Sequence, residues 1–309
     1  MSLIEQAAKR LEQLRQAGVE LPEQPQAEPA PKSILADDMD RPVAAASKKA
    51  IPQPPATSNA HASSIQTTLD LEAIAATGLL VPNAARSQLA DEFRVIKRPL
   101  IANAMGKGMG AIPNGNLIMV TSALPGEGKS FTAINLAISI AMELDNTVML
   151  VDADVARPSV LNMLGLPPAK GLLDVLQQNS VDISGVLLRT NIEKLSILPS
   201  GTPHPRATEL LASDTMVRLL DDMASRYSDR IIVFDSPPLL LTTESRVLAT
   251  HMGQVLIVVN AENTAQAAVK QALSTIESCP LKMMVLNQVR QAKADSYGYG
   301  YGYGYGNEN

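Results

Sequence analysis

The chain has 309 residues, 46% of them hydrophobic and 18% charged, with a formal net charge of −5, ample for one large buried core or two small ones. The acidic balance argues against a general nucleic-acid binder. The single cysteine, Cys279, excludes an intramolecular disulfide framework and a cysteine-rich zinc site, and His61, His204 and His251 are scattered.

No uninterrupted apolar run approaches the ~20 residues of a membrane span. The N-terminus, MSLIEQAAKRLEQLRQ, has no continuous signal-peptide core. A soluble, cytoplasmic protein is expected. Residues 1–18 predict a short amphipathic helix: Ser2 and Glu5 suit a capping box, and Ile4, Ala7, Leu11 and Leu14 form one apolar stripe ending at Gly18. Residues 19–84 read as a Pro/Ala/Gln-rich linker, with disorder expected from about 20 to 65. Eight of the 21 prolines lie between Pro22 and Pro55, and such a composition buries too little apolar surface to offset its ordering entropy.

Over 85–290 the pattern becomes that of one domain. Apolar runs at Leu117–Thr121, Val148–Val151, Leu195–Leu198, Ile231–Phe234, Val255–Val259 and Met283–Leu286 predict buried strands. Amphipathic stretches such as Phe131–Glu143, Met216–Arg226 and Ala265–Ser278 predict helices between them. Strands of this kind alternating with helices mean an α/β fold, a doubly wound and mostly parallel sheet with helices on both faces. Residues 291–309 form a tail holding five of the six tyrosines: Tyr297, Tyr299, Tyr301, Tyr303 and Tyr305, each followed by glycine.

Within the domain, Ile118–Ser130 reads IMVTSALPGEGKS: a strand, a glycine-containing loop, then Gly-Lys-Ser opening a helix. That is the layout of a phosphate-binding loop. Backbone N–H groups around Gly126, Glu127, Gly128 and Phe131 would face phosphates, with Lys129 reaching the β- and γ-phosphates and the Ser130 hydroxyl ligating Mg²⁺. The strict pattern fails at its first glycine, which is Ala123. Two more strands support the reading, because VMLVDAD delivers Asp152 and Asp154 at its end and IIVFDSPP delivers Asp235. In a doubly wound sheet these carboxylates meet the loop at the C-terminal strand ends, where a Mg²⁺-nucleotide binds. A second glycine cluster, Gly106–Ala111, fits a loose dinucleotide pattern but has no strand before it or helix after it, and is expected to be a loop.

The segments ALPGEGKS, VDADVARP and VFDSPP, with the tyrosine-rich C-terminus, resemble the Walker A, A′ and B motifs of the bacterial tyrosine kinases (BY-kinases) of cytoplasmic type. DEFRVIKRPLIANA and the final YGYGYG are similar to the group associated with exosortase-linked exopolysaccharide loci. The resemblance covers about residues 85–309. It implies an ATP- and Mg²⁺-dependent P-loop kinase in which Asp152 is the base toward a tyrosine hydroxyl. Asp154 and Asp235 would support the metal beside Ser130 and Asp152, Asn287 would contact adenine, and the tail tyrosines would accept phosphate.

As partners the resemblance implies a membrane chain-length regulator (a polysaccharide co-polymerase) as activator, which would hold the protein at the inner face of the plasma membrane. It also implies a cognate tyrosine phosphatase and a homo-oligomer, a ring in the family. Two departures stand out. The family's A′ arginine position is Ala156, with Arg157 one residue later in the candidate nucleotide site. The family's oligomerisation pattern E-x-x-R-x-x-R is matched only in charge sign, by Asp91, Arg94 and Lys97. Two other readings fit a P-loop chain. One is an ATPase of the MinD/ParA positioning class, although the extra loop lysine of that class is Leu124 here; the other is a non-catalytic nucleotide-binding scaffold. The glycines would keep the tail flexible enough for each tyrosine to extend into a site; strict alternation would also suit a strand, but glycine weakens strands and the tail has no aliphatic partner face.

Overall fold

The computed structural model describes residues 65–82, 87–108, 110–177, 183–226 and 229–290. The helix expected over 1–18, the linker up to residue 64 and the tail from 291 lie outside the described residues.

All six expected strands form: β2 (Leu117–Ser122), β3 (Thr147–Asp152), β5 (Leu195–Leu198), β6 (Arg230–Asp235), β7 (Gln254–Asn260) and β8 (Leu281–Asn287). Two short strands, β1 (Ile65–Gln66) and β4 (Leu188–Arg189), extend the sheet. The order is β1-β4-β5-β3-β6-β2-β7-β8. Neighbours pair in parallel except β4 with β5, which is antiparallel.

Because strand side chains alternate between faces, each central strand feeds two cores. On one face Leu117, Met119, Met149, Val151, Ile232, Phe234, Val255 and Ile257 pack beneath α5 (Leu172–Gln177), α7 (Asp214–Arg226), α8 (Glu244–Ala249) and α9 (Gln266–Ser274). On the other, Ile118, Val120, Val148, Leu150, Ile231, Val233, Leu256 and Val258 lie under α3 (Lys129–Ala141) and α2 (Gln88–Ala104). Helix α3 is buried from Thr132 to Ala141, which its nearly uniform apolar composition requires. The Gly106–Ala111 stretch is turn and loop in its described residues. No helix among the described residues is long and apolar enough to cross a membrane.

Residues 65–82, placed in the linker by composition, instead belong to the folded layer. Asp70 caps α1 (Leu71–Ala76) by accepting the N–H groups of Glu72 and Ala73. Leu69, Ile74, Leu79 and Leu80 are buried in the α3-side core. The Leu80 N–H donates to Asn135 Oδ1 of α3 at 2.7 Å, and Asn191 bonds both the N–H and the C=O of Leu69. Enough apolar side chains recur here to offset the ordering entropy of the segment.

Helix α2 also corrects an expectation. Phe93, Lys97 and Leu100 recur at i, i+4 and i+7 and form its buried face. Lys97 therefore points into the protomer, where its Nζ ion-pairs Glu143 at 2.7 Å and donates to the Ser139 carbonyl in the last turn of α3. Asp91 and Arg94 stay on the surface and pair with each other, so the third charge of the supposed oligomerisation pattern closes a helix end. Lys97→Ala is expected to cost about 1–3 kcal/mol of stability, read as a lower urea midpoint at unchanged slope.

Candidate active site

The site lies at the C-terminal ends of three adjacent strands, β3, β6 and β2. The chain leaves β2 through the buried Ala123, turns at Gly126 (φ +81°) and Gly128 (φ +92°), and enters α3 at Lys129. Both glycines hold left-handed backbone that a side chain would strain, and a Cβ on Gly128 would sit 2.1 Å from Asn287 Nδ2. Ala123 has no positive φ, so the position where the strict motif has glycine does not require it.

Glu127, expected to take part in nucleotide binding, is used inward. Its buried carboxylate accepts the Leu124 N–H at 2.7 Å, the Asn260 N–H at 3.3 Å and the Thr264 hydroxyl. From the end of β8, Asn287 Nδ2 donates to the Glu127 carbonyl at 2.9 Å and Gln288 Nε2 to that of Gly126 at 3.1 Å. The loop is thus strapped from behind by residues closing β7 and β8. Its other braces, the main-chain N–H of Asn260 and the side chains of Thr264 and Gln288, escaped the sequence reading; polar residues at or just past the ends of apolar strands were the available signal. Asn287, read as an adenine contact, is one of the straps.

In front of the loop, Lys129 Nζ lies 2.7 Å from Asp154 Oδ2, 3.8 Å from Asp235 Oδ1 and 3.3 Å from Ser130 Oγ. Asp152 and Asp235 are register partners across β3 and β6, 1% and 0% exposed. Asp152 Oδ2 accepts the N–H groups of Ser159 and Val160 at 3.2 and 3.1 Å, at the start of α4 (Val160–Met163). Among the described residues its Oδ1 finds no hydrogen-bond partner, nor does either oxygen of Asp235 or the hydroxyl of Ser159 or Ser236.

Burial, with the Asp235 charge adding to it, pushes the Asp152 carboxyl up to about 7 despite the Val160 N–H. Burial likewise raises Asp235 to about 6, with the Lys129 ammonium and the Ser130 hydroxyl nearby opposing it. Asp154 Oδ1 accepts the Arg157 N–H at 3.1 Å, while the rest of Arg157 is exposed. Phe131 packs its partly buried ring on the α3-side core. The structure therefore gathers Lys129, Ser130, Asp152, Asp154 and Asp235 at one point. The phosphoacceptor tyrosines expected in the tail lie outside the described residues.

Among the described residues no three His, Cys, Asp or Glu side chains form a ready-made metal cage. The donor set nonetheless suits a P-loop magnesium ion, which takes one or two carboxylates plus phosphate and water oxygens. Buried carboxylate oxygens without a donor on Asp152 and Asp235, beside the Ser130 hydroxyl, are the groups that such a hydrated cation satisfies.

A phosphate loop at a helix N-terminus, facing strand-end carboxylates in a parallel sheet, defines a P-loop nucleotide-binding fold. Consistent with this, residues 115–288 match the AAA domain family model, and the chain belongs to that family. The more specific likeness is to bacterial tyrosine kinases. The chain is 29% identical to the tyrosine-protein kinase YwqD of Bacillus subtilis (strain 168), over 69% of its own length and 86% of that protein's. Against the tyrosine-protein kinase wzc of Salmonella typhimurium it is 29% identical over 56% of its own length, yet it spans only 24% of that relative. Among solved structures, the kinase domain of the Escherichia coli tyrosine kinase ETK superposes with a TM-score of 0.58 at 26% identity, covering 72% of this chain and 83% of that one. The resemblance drawn from the three motifs is borne out.

Proposed function

We propose that the chain is an ATP-dependent protein-tyrosine autokinase that phosphorylates its own C-terminal cluster, Tyr297 to Tyr305. The observation that carries this reading is Asp152: a buried carboxylate with one unpartnered oxygen, raised to about 7, next to a phosphate loop. A tyrosine hydroxyl, with a pKa near 10, needs a proton acceptor as it attacks, and an acceptor titrating near neutrality is well matched to that task. A cleft of about 300 Å³ opens beside Asp152, lined by Pro158, Leu161, Leu166, Pro168 and Pro203. Its apolar walls suit a phenol ring.

In this mechanism the backbone from Gly126 to Ser130 and the N-terminus of α3 hold the ATP phosphates, while Lys129 neutralises their charge. Ser130 and Asp235 would hold Mg²⁺, with Asp152 near it, and the ion when bound would supply further charge neutralisation at the phosphates. The phenol oxygen forms the new bond to the γ-phosphorus, the bond to the ADP oxygen breaks, and Asp152 Oδ1 receives the phenolic proton. Asp154 positions Lys129, and Glu127 shapes the loop from behind. By the sequence resemblance, the chain works in exopolysaccharide polymerisation and export, on the cytoplasmic face of the membrane. There it would pair with a membrane co-polymerase activator, a cognate phosphatase and other copies of itself.

The test is intact and tail-peptide mass of the purified chain after incubation with ATP and Mg²⁺. Whole-phosphate gains confined to the Tyr297–Tyr305 peptide are expected. ATP hydrolysis that leaves the tail unmodified would overturn the autokinase in favour of a positioning-type ATPase.

A further inference from the structure

Strand β8 ends the sheet, and among the described residues no strand lies beyond it. Met283 and Val285 turn toward the α3-side core, whereas Met284 and Leu286, on the opposite face, are 57% and 68% exposed. The Asn287 carbonyl accepts the Ala261 N–H on the β7 side. By strand alternation, the main-chain N–H and C=O groups of Lys282, Met284 and Leu286 therefore face outward. Such an edge is a template for another strand unless something guards it. The natural guard would be Lys282, but its Nζ is turned back onto the carbonyls of Glu277 and Cys279.

We propose that the occupant of this edge is the chain's own segment 297–305, added antiparallel along β8. Nine residues, 288–296, lie between the end of β8 and that segment, which leaves room for the chain to reverse. Its strict Tyr-Gly alternation has the period of a strand and puts all five rings on one face. Nine residues reach roughly 30 Å and the seven of β8 roughly 24 Å, so the lengths match. Met284 and Leu286 supply the aliphatic face that the tail lacks by itself, and aromatic-on-aliphatic cross-strand contacts are the stabilising unit of such a pair. The phenol hydroxyls stay in water. The glycines fall on the opposite face, where no side chain is needed. This pairing does not depend on whether the tyrosines accept phosphate.

The experiment is residue-resolved amide hydrogen exchange on the full chain, compared with a full-chain Tyr301→Pro/Tyr303→Pro variant that cannot pair along that stretch. In the unsubstituted chain we expect the amides among Met284 and Leu286 that face the tail to exchange about tenfold or more slowly than an open edge. In the variant that protection should disappear while Val285, bonded toward β7, is unchanged. Fast exchange of both amides in the unsubstituted chain overturns the proposal. Protection that survives the proline substitutions and rises with protein concentration overturns it too, and assigns the edge to a second copy. Protection that survives them without concentration dependence likewise excludes the tail.

Discussion

Asp152→Asn is expected to make the nucleotide-free protein more resistant to heat at pH 7.5 while abolishing tail phosphorylation. The Asp152 carboxyl titrates at about 7 in the folded chain against 3.8 for an ordinary one. Between those two values the unfolded chain has released its proton and the folded chain has kept it. Stability therefore falls as pH rises through that window: it is intact below about pH 4 and lost by about pH 7. Asparagine removes the ionisation and can still accept the Ser159 and Val160 N–H groups through its carbonyl oxygen. A gain of about 2–4 kcal/mol at pH 7.5 follows, or roughly 5–10 °C in Tm, fading to nothing near pH 4. Phosphorylation should fall by about 10²–10⁴-fold, the usual loss for a missing general base. Thermal melts across pH 4–8 with tail-peptide mass check both halves. An unchanged or lowered Tm at pH 7.5 would mean that the buried carboxylate does not carry this cost.

Lys129→Met should move stability the other way. Lys129 is the cation set among Asp154, Asp235 and Ser130, at 2.7, 3.8 and 3.3 Å. Methionine keeps the length of the side chain and leaves Asp154 Oδ2 without its ion pair. Breaking a buried pair from one side costs about 3–5 kcal/mol, part of which is recovered as the carboxylates take up protons at lower pH. The Tm of Lys129→Met should therefore lie below that of the unsubstituted chain at pH 7.5 and approach it toward pH 5. Tail phosphorylation should fall by about 10³-fold, because the ammonium that meets the charge developing on the γ-phosphate is gone and the metal ion alone must carry it. Equal losses of activity with opposite shifts in Tm would separate the proton acceptor from the charge neutraliser. A phosphorylated tail in Lys129→Met would exclude the loop as the kinase centre.

Much of this arrangement was legible in the sequence, because buried parallel strands are written as short Val/Ile/Leu runs and their last residues fall where ligands bind. Asp152, Asp154 and Asp235 could be placed beside the loop from that rule alone. The two-residue strands β1 and β4 leave no periodic trace. The segment 65–82 was obscured by the proline-dense stretch before it, although Leu69, Ile74, Leu79 and Leu80 were in plain view. Lys97 was set beside Asp91 and Arg94 as the third charge of an oligomerisation pattern. Its i, i+4, i+7 relation to Phe93 and Leu100 carried the opposite message. Glu127 could not be assigned from its spacing, since a carboxylate in a glycine loop reads the same whether it faces a ligand or folds back on Leu124.

The straps from Asn287 and Gln288 to the loop have a bearing on how the protein is made. Their partners are 160 and 162 residues earlier in the chain. During synthesis at ~5–20 residues per second, the loop emerges on the order of 10–30 s before the residues that fasten it. A nascent chain holding everything up to Ser278 has its lysine, serine, all three aspartates and the Glu127 braces, yet lacks the two straps from Asn287 and Gln288. Competence to bind nucleotide should thus arrive late and abruptly, with the last strand, so that an interrupted translation product is idle rather than partly active.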